Sequence, residues 1–146
     1  MRKLLLLVAA VAALAVPSTA LAASPYHRSG AINVTSTGTY FSVDATNSNA
    51  TDHRTFCGSG VNTHEVWFTW TAPADGTASV DTFGSNYDTV LTVFADRTEV
   101  DCNDDTPTTL QSLVTFQAVA GTTYYFEVAV YSTATPGMAQ LEVTMT

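Results

Sequence analysis

Glu65-Val66-Trp67-Phe68-Thr69-Trp70-Thr71, followed by Pro73-Ala74-Asp75-Gly76 and then by Thr77-Ala78-Ser79-Val80-Asp81-Thr82-Phe83, decides the fold. Apolar residues fall at every second position on either side of a turn in which Pro presets φ and Gly accepts φ > 0. Side chains alternate across a strand with period two, so this pattern reads as two strands joined by a reverse turn. Val66, Phe68 and Trp70 share one face, with Trp67 and Thr69 on the other. The run continues through a second turn at Gly84-Ser85-Asn86 into Thr89–Phe94, where Leu91 and Val93 oppose Val90 and Phe94.

The same period recurs outward in both directions. Thr39 to Asp44 alternates, and Ala31 to Val34 reads as a short edge strand. Arg97 to Val100 reads as a second short edge strand, and Asp101 to Asp105 as a dense polar turn. Leu110 to Ala118 alternates again. Thr122 to Tyr131 does so most clearly, with Tyr124, Phe126, Val128 and Val130 on one face. Leu141, Val143 and Met145 close the series. Residues 46–63 have no period and read as a long loop, which in a compact domain is usually tethered or functional. Seven clear strands and one or two weak ones, without a helical period beyond the N-terminal run, predict an all-β, antiparallel two-sheet sandwich.

Arg2 and Lys3 precede the apolar run Leu4–Val16, and Ala20-Leu21-Ala22 fits a small-x-small cleavage site. The expected organisation is a cleaved signal peptide over residues 1–22, a flexible leader over 23–38 and the sandwich over 39–146. Thirteen acids against the three remaining arginines, Arg28, Arg54 and Arg97, leave a formal charge of −10 after cleavage. A chain so acidic is a poor partner for nucleic acid or an anionic membrane. The expectation is a secreted protein, free of the membrane after cleavage, whose charge suits solubility or cation binding. In an exported chain Cys57 and Cys102 are expected to pair, the alternatives being two thiols or a bridge to another molecule.

Asp88, Asn103, Asp104 and Asp105 are the candidate metal ligands. Calcium takes six to eight hard oxygens, and an Asn-Asp-Asp run at a turn supplies several of them close together. The competing reading is an Asx-rich turn whose side chains bond their own backbone. Asp44 and Asp101 are further acids without separate support. His53, Cys57 and His64 could bind zinc or copper, but their spacing fits no standard site and Cys57 has a better use. Trp67, Tyr125 and Tyr131 fall on the non-core phase of their strands and form a candidate aromatic binding face, unless a loop or the second sheet covers them. No Gly-x-Ser-x-Gly elbow occurs, and the three histidines lie in the leader or the long loop, so no enzyme activity is expected.

Taken in order, Cys57-Gly58, Glu65 to Gly76, Asp81 to Leu91, Cys102-Asn103-Asp104-Asp105 and Val119 to Val128 resemble the bacterial pre-peptidase C-terminal domain family, over roughly Thr39 to Thr146. The resemblance implies a jelly-roll-like sandwich that serves exported enzymes as an accessory, assisting secretion or folding or binding substrate surfaces; some relatives in collagenases bind calcium and collagen. Phe83 stands where many relatives have cysteine, so their fuller disulfide pattern does not carry over. The implied function is a secreted, non-catalytic binding domain for an extracellular protein or polysaccharide surface, with calcium as the candidate stabilising ion. The alternatives are an envelope-assembly sandwich without a ligand and a carbohydrate-binding module.

Overall fold

Nine strands in two sheets form the computed structural model, which describes residues 24–50, Cys57 and residues 62–146. They are β1 (Ile32–Asn33), β2 (Phe41–Asp44), β3 (Thr63–Thr71), β4 (Gly76–Asp81), β5 (Thr89–Ala95), β6 (Thr98–Asn103), β7 (Leu113–Ala118), β8 (Thr123–Val130) and β9 (Met138–Met145). One sheet has the order β1-β3-β8-β5-β6, the other β2-β9-β4-β7. The pairings of these strands are antiparallel except β1 with β3. The expected sandwich is present, and the weak edge strands are β1 and β6. The signal-peptide segment and His53 lie outside the described residues.

The core is the alternation made solid. Val66, Phe68 and Trp70 of β3, Leu91 and Val93 of β5, and Tyr124, Phe126, Val128 and Val130 of β8 meet Ala78, Val80, Val114, Phe116, Leu141 and Val143 of the facing sheet. Phe116 and Tyr124 stack with ring centroids 4.8 Å apart, and the Tyr124 hydroxyl accepts the Val119 N–H. Burying each such side chain contributes about 1.5–3 kcal/mol.

Two features depart from the sequence reading. The polar run Asp101-Cys102-Asn103 is not a turn but the continuation of β6, with Cys102 opposite Thr92 and Asn103 opposite Leu91. Backbone pairing with β5 outweighs the poor strand propensity of Asp and Asn, and a register shift at Val93/Phe94 absorbs the irregularity. The three central strands of the five-stranded sheet, β3, β8 and β5, are also buried on both faces. Glu65, Trp67, Val90, Thr92, Phe94, Glu127 and Ala129, all on its outer side, are buried as well as the core. On that side Arg28 and Ser29 of the leader lie beside Trp67, Phe94 and Tyr125, and the leader also runs along the free edge of β3. The Trp67 backbone N–H donates to the Pro25 carbonyl at 2.8 Å, and the Tyr26 hydroxyl donates to the Asp44 carbonyl. At the start of the long loop, the buried Ser48 hydroxyl donates to the Glu65 carbonyl at 2.7 Å.

The loop is tethered as expected. Cys57 and Cys102 form a disulfide with Cα atoms 5.8 Å apart, within the range of an ordinary bridge. No helix among the described residues is long and apolar enough to cross a membrane.

Candidate functional site

The acidic corner is built by the β5–β6 pair. Asp88 immediately precedes β5 and Asp104-Asp105 immediately follow β6, and antiparallel pairing of Leu91 with Asn103 sets these two ends side by side. One carboxylate oxygen from each of Asp88, Asp104 and Asp105 lies within 4.8 Å of the others. Asp88 and Asp104 are half-buried and Asp105 is exposed. Asn103 is the last residue of β6, directly before them. Its side-chain carbonyl accepts the Leu113 N–H at 3.0 Å and ties the corner to β7.

The corner is held from beneath by hydroxyls. Thr82 and Thr89 share a hydrogen bond of 2.7 Å, and Thr89 and Ser112 share one of 3.1 Å. The Ser112 hydroxyl also faces the Asp104 carbonyl at 2.7 Å and the Thr89 carbonyl at 2.9 Å, with its single proton to donate. The Gln111 amide reaches the Ser85 and Tyr87 carbonyls, and the Tyr131 N–H donates to the Asp88 carbonyl. Thr82, Thr89 and Ser112 are fully buried, so this network fixes the backbone that carries the carboxylates. Sequence reasoning passed over all three, because Ser and Thr are abundant throughout the chain.

The carboxylates themselves are poorly served. One oxygen of Asp88 and one of Asp104 are buried without a hydrogen-bond partner among the described residues. Burial raises the Asp88 carboxyl above its ordinary range, and the nearby Asp105 charge raises it further. Burial likewise raises Asp104, with Asp105 and then Asp88 adding repulsion. A hard divalent cation is the partner that this donor set suits, since it would satisfy both orphaned oxygens and cancel the repulsion at once. Asp44 and Asp101 are spent locally: the Asp44 carboxylate accepts from the Thr46 N–H and hydroxyl, and the Asp101 carboxylate from the Cys102 N–H.

The other candidates separate. Cys57 is in the disulfide and His64 sits beside Thr63 at the start of β3, so the sulfur needed for a zinc or copper trio is not available. The aromatic face does not form as expected. Trp67 is only 2% exposed, while Tyr125 and Tyr131 are half-buried. Trp67 instead packs on Phe94, with ring centroids 5.7 Å apart, and the Arg28 guanidinium lies 3.9 Å above the Tyr125 ring. These side chains belong to a cavity of about 660 Å³ on the outer side of the five-stranded sheet, with Arg28, Ser29, Asp96 and Arg97 around it.

Residues 64–129 match the family described as the bacterial pre-peptidase C-terminal domain. Among solved structures, the chain is similar to the pre-peptidase C-terminal domain of a collagenase from Bacillus anthracis, at 13% identity and a TM-score of 0.53, over 78% of this chain and 94% of that domain. It also aligns with PliG, a periplasmic inhibitor of g-type lysozyme from Aeromonas hydrophila, at 13% identity and a TM-score of 0.45, over 78% of this chain and 96% of that one. No curated protein matches the sequence.

Proposed function

From the premise that this chain carries a bacterial pre-peptidase C-terminal domain, we propose that it is a secreted, non-catalytic accessory domain that binds an extracellular protein or polysaccharide surface and is stabilised by calcium at Asp88, Asp104 and Asp105. Domains of this family are generally accessory and non-catalytic, which supports the first part. The disulfide supports an oxidising compartment outside the cytosol, which the signal-peptide reading of residues 1–22 also requires. Support for calcium rests on one observation: three carboxylates converge, and two of them hold buried oxygens without a partner among the described residues. Asn103, grouped with them in the sequence, would act from behind by fixing the turn.

Thermal melting of chelated protein, titrated with calcium, tests this reading. At a hundredfold excess over Kd, binding to the folded state alone adds about 2.7 kcal/mol, a rise of several degrees in melting temperature. Asp88→Asn with Asp104→Asn should abolish the rise. A melting temperature that calcium leaves unmoved would remove the cation from the proposal.

The pH dependence has opposite signs with and without the ion. The folded carboxyls of Asp88 and Asp104 are raised, so just above the ordinary carboxylate range the folded state binds more protons than the unfolded chain. Their contribution is therefore present at low pH and lost as pH rises through the raised values. In chelator, lowering the pH from neutrality towards that range should raise the melting temperature, and the double Asn variant should flatten the trend. Calcium needs the ionised carboxylates, so its stabilisation should fade as the pH drops through the same range.

A further inference from the structure

Among the described residues, β1 and β6 are the edges of one sheet and β2 and β7 the edges of the other. An open edge is a template for a further strand, and proteins blunt it by shortness, charge or proline. β1 is two residues long, β2 ends in Asp44, and β6 carries Glu99 and Asp101. β7 has none of these devices. It reads Leu-Val-Thr-Phe-Gln-Ala, inside a run from Thr106 to Phe126 without a charged residue, in a chain of formal charge −8. Exposed apolar side chains sit at both of its ends, Leu113 at 40% and Val119 at 57%.

The pairing of β7 fixes which of its backbone groups face outward. On β4, the Thr77 N–H donates to the Thr146 carbonyl and the Thr146 N–H to the Thr77 carbonyl, so the odd-numbered residues of β4 are turned towards β9. Ala78 and Val80 are therefore turned towards β7, where Phe116 and Val114 stand opposite them. That leaves Leu113, Thr115 and Gln117 with N–H and C=O directed away from the sheet. The Leu113 N–H donates to the Asn103 side chain, and beyond the strand the Val119 N–H donates to the Tyr124 hydroxyl. Both ends of the edge are closed within the chain, and its middle, at Thr115 and Gln117, is open among the described residues.

We infer that this edge is an interface between two copies of the chain, with β7 of one laid antiparallel to β7 of the other across a two-fold axis at Phe116. In that register Thr115 lies opposite Gln117 of the second copy, and the reverse, so every open N–H and C=O in the middle of the edge is met. An axis at Thr115 or at Gln117 would pair one of them with itself and set the other against an N–H already taken by Asn103 or Tyr124. The chosen register also brings Leu113 opposite Val119 of the second copy at each end, which removes exposed apolar surface from water. The acidic corner adjoins the Leu113 end, so antiparallel pairing keeps the two corners at opposite ends of the shared edge. This fit of the edge to itself selects a second copy over a foreign strand. Six residues a side bury less than the ~1,200 Å² of a small stable interface, so the dimer is a weak one that forms as concentration rises. It uses none of the residues assigned to calcium, and stands or falls separately from that reading.

Sedimentation of the chelated chain over a concentration series tests the inference. Monomer should give way to dimer towards millimolar concentration, and salt should strengthen the association, because the copies carry charge of the same sign. Amide exchange at Thr115 and Gln117 should slow over the same series. Two double variants fix the register, since both side chains are exposed and should leave the melting temperature of dilute protein unchanged. Thr115→Glu with Gln117→Glu sets like charges opposite each other in both pairs; Thr115→Glu with Gln117→Lys sets opposite charges there, and should dimerise at least tenfold more tightly than the first. A chain that stays monomeric to millimolar concentration would overturn the inference, as would a dimer of equal strength in the two double variants. Protection of Thr115 and Gln117 in a monomeric chain by an added uncharged peptide would assign the edge to a foreign strand and overturn it too.

Discussion

Replacing both Cys57 and Cys102 by serine will lower the stability of the domain by about 4 kcal/mol, the chain-entropy value for a closed loop of this length. The bridge joins residues 45 apart, across β3, β4 and β5 and the later part of the long loop. Its loss therefore frees a large part of the unfolded chain. It also releases the long loop from β6, an edge strand with mostly exposed side chains whose sheet partner is β5. The loss should appear as a lower urea midpoint for the double serine variant. Thiol reductant should produce the same shift in the unmodified protein and none in the variant. Hydrogen exchange should quicken first along Thr98–Asn103. A midpoint indifferent to reductant would show that pairing within the sheets, not the bridge, carries this edge.

How far the chain could be read in advance follows from which signals are periodic. The core faces of β3, β5 and β8 are strict alternations, and Val66, Phe68, Trp70, Leu91, Val93 and Phe126 all point where the period puts them. The acidic corner was legible for a related reason. A hairpin brings its two ends together, so acids flanking β5 and β6 had to meet. What the period could not show is what lies over a sheet's second face. Trp67 and Phe94 are buried beside Arg28 and Ser29 of the leader, whose sequence has no repeat, and Arg28 reaches a residue 68 positions away. Asp81 illustrates the same limit: it alternates as an outward residue yet is buried, with a carboxyl raised chiefly by burial and then by Glu142, while the Phe83 N–H partly offsets both. Whether an oxygen is left without a partner, as on Asp88 and Asp104, is a property of packing and not of spacing.

The largest single-residue effect should come from Phe126. It is completely buried on β8, the strand between β3 and β5, and it lies in register with Phe68 on one side and Val93 on the other. Truncation to alanine removes a ring that belongs to the core shared with both neighbours and the facing sheet. The surrounding strands cannot close the void, because their backbones are fixed by pairing on each side. Phe→Ala in such a site costs about 3–5 kcal/mol, of which only part is lost transfer free energy and the rest is the cavity. That is a large fraction of the roughly 5–15 kcal/mol typical of a domain, so the variant should populate unfolded chain well below the melting temperature of the original. Leu113→Ala is the control: Leu113 is an apolar residue at 40% exposure on edge strand β7, and its loss should change stability by no more than about 0.5 kcal/mol. Urea unfolding of the two variants checks this, and equal costs would show that burial between β3 and β5 does not set the contribution of Phe126.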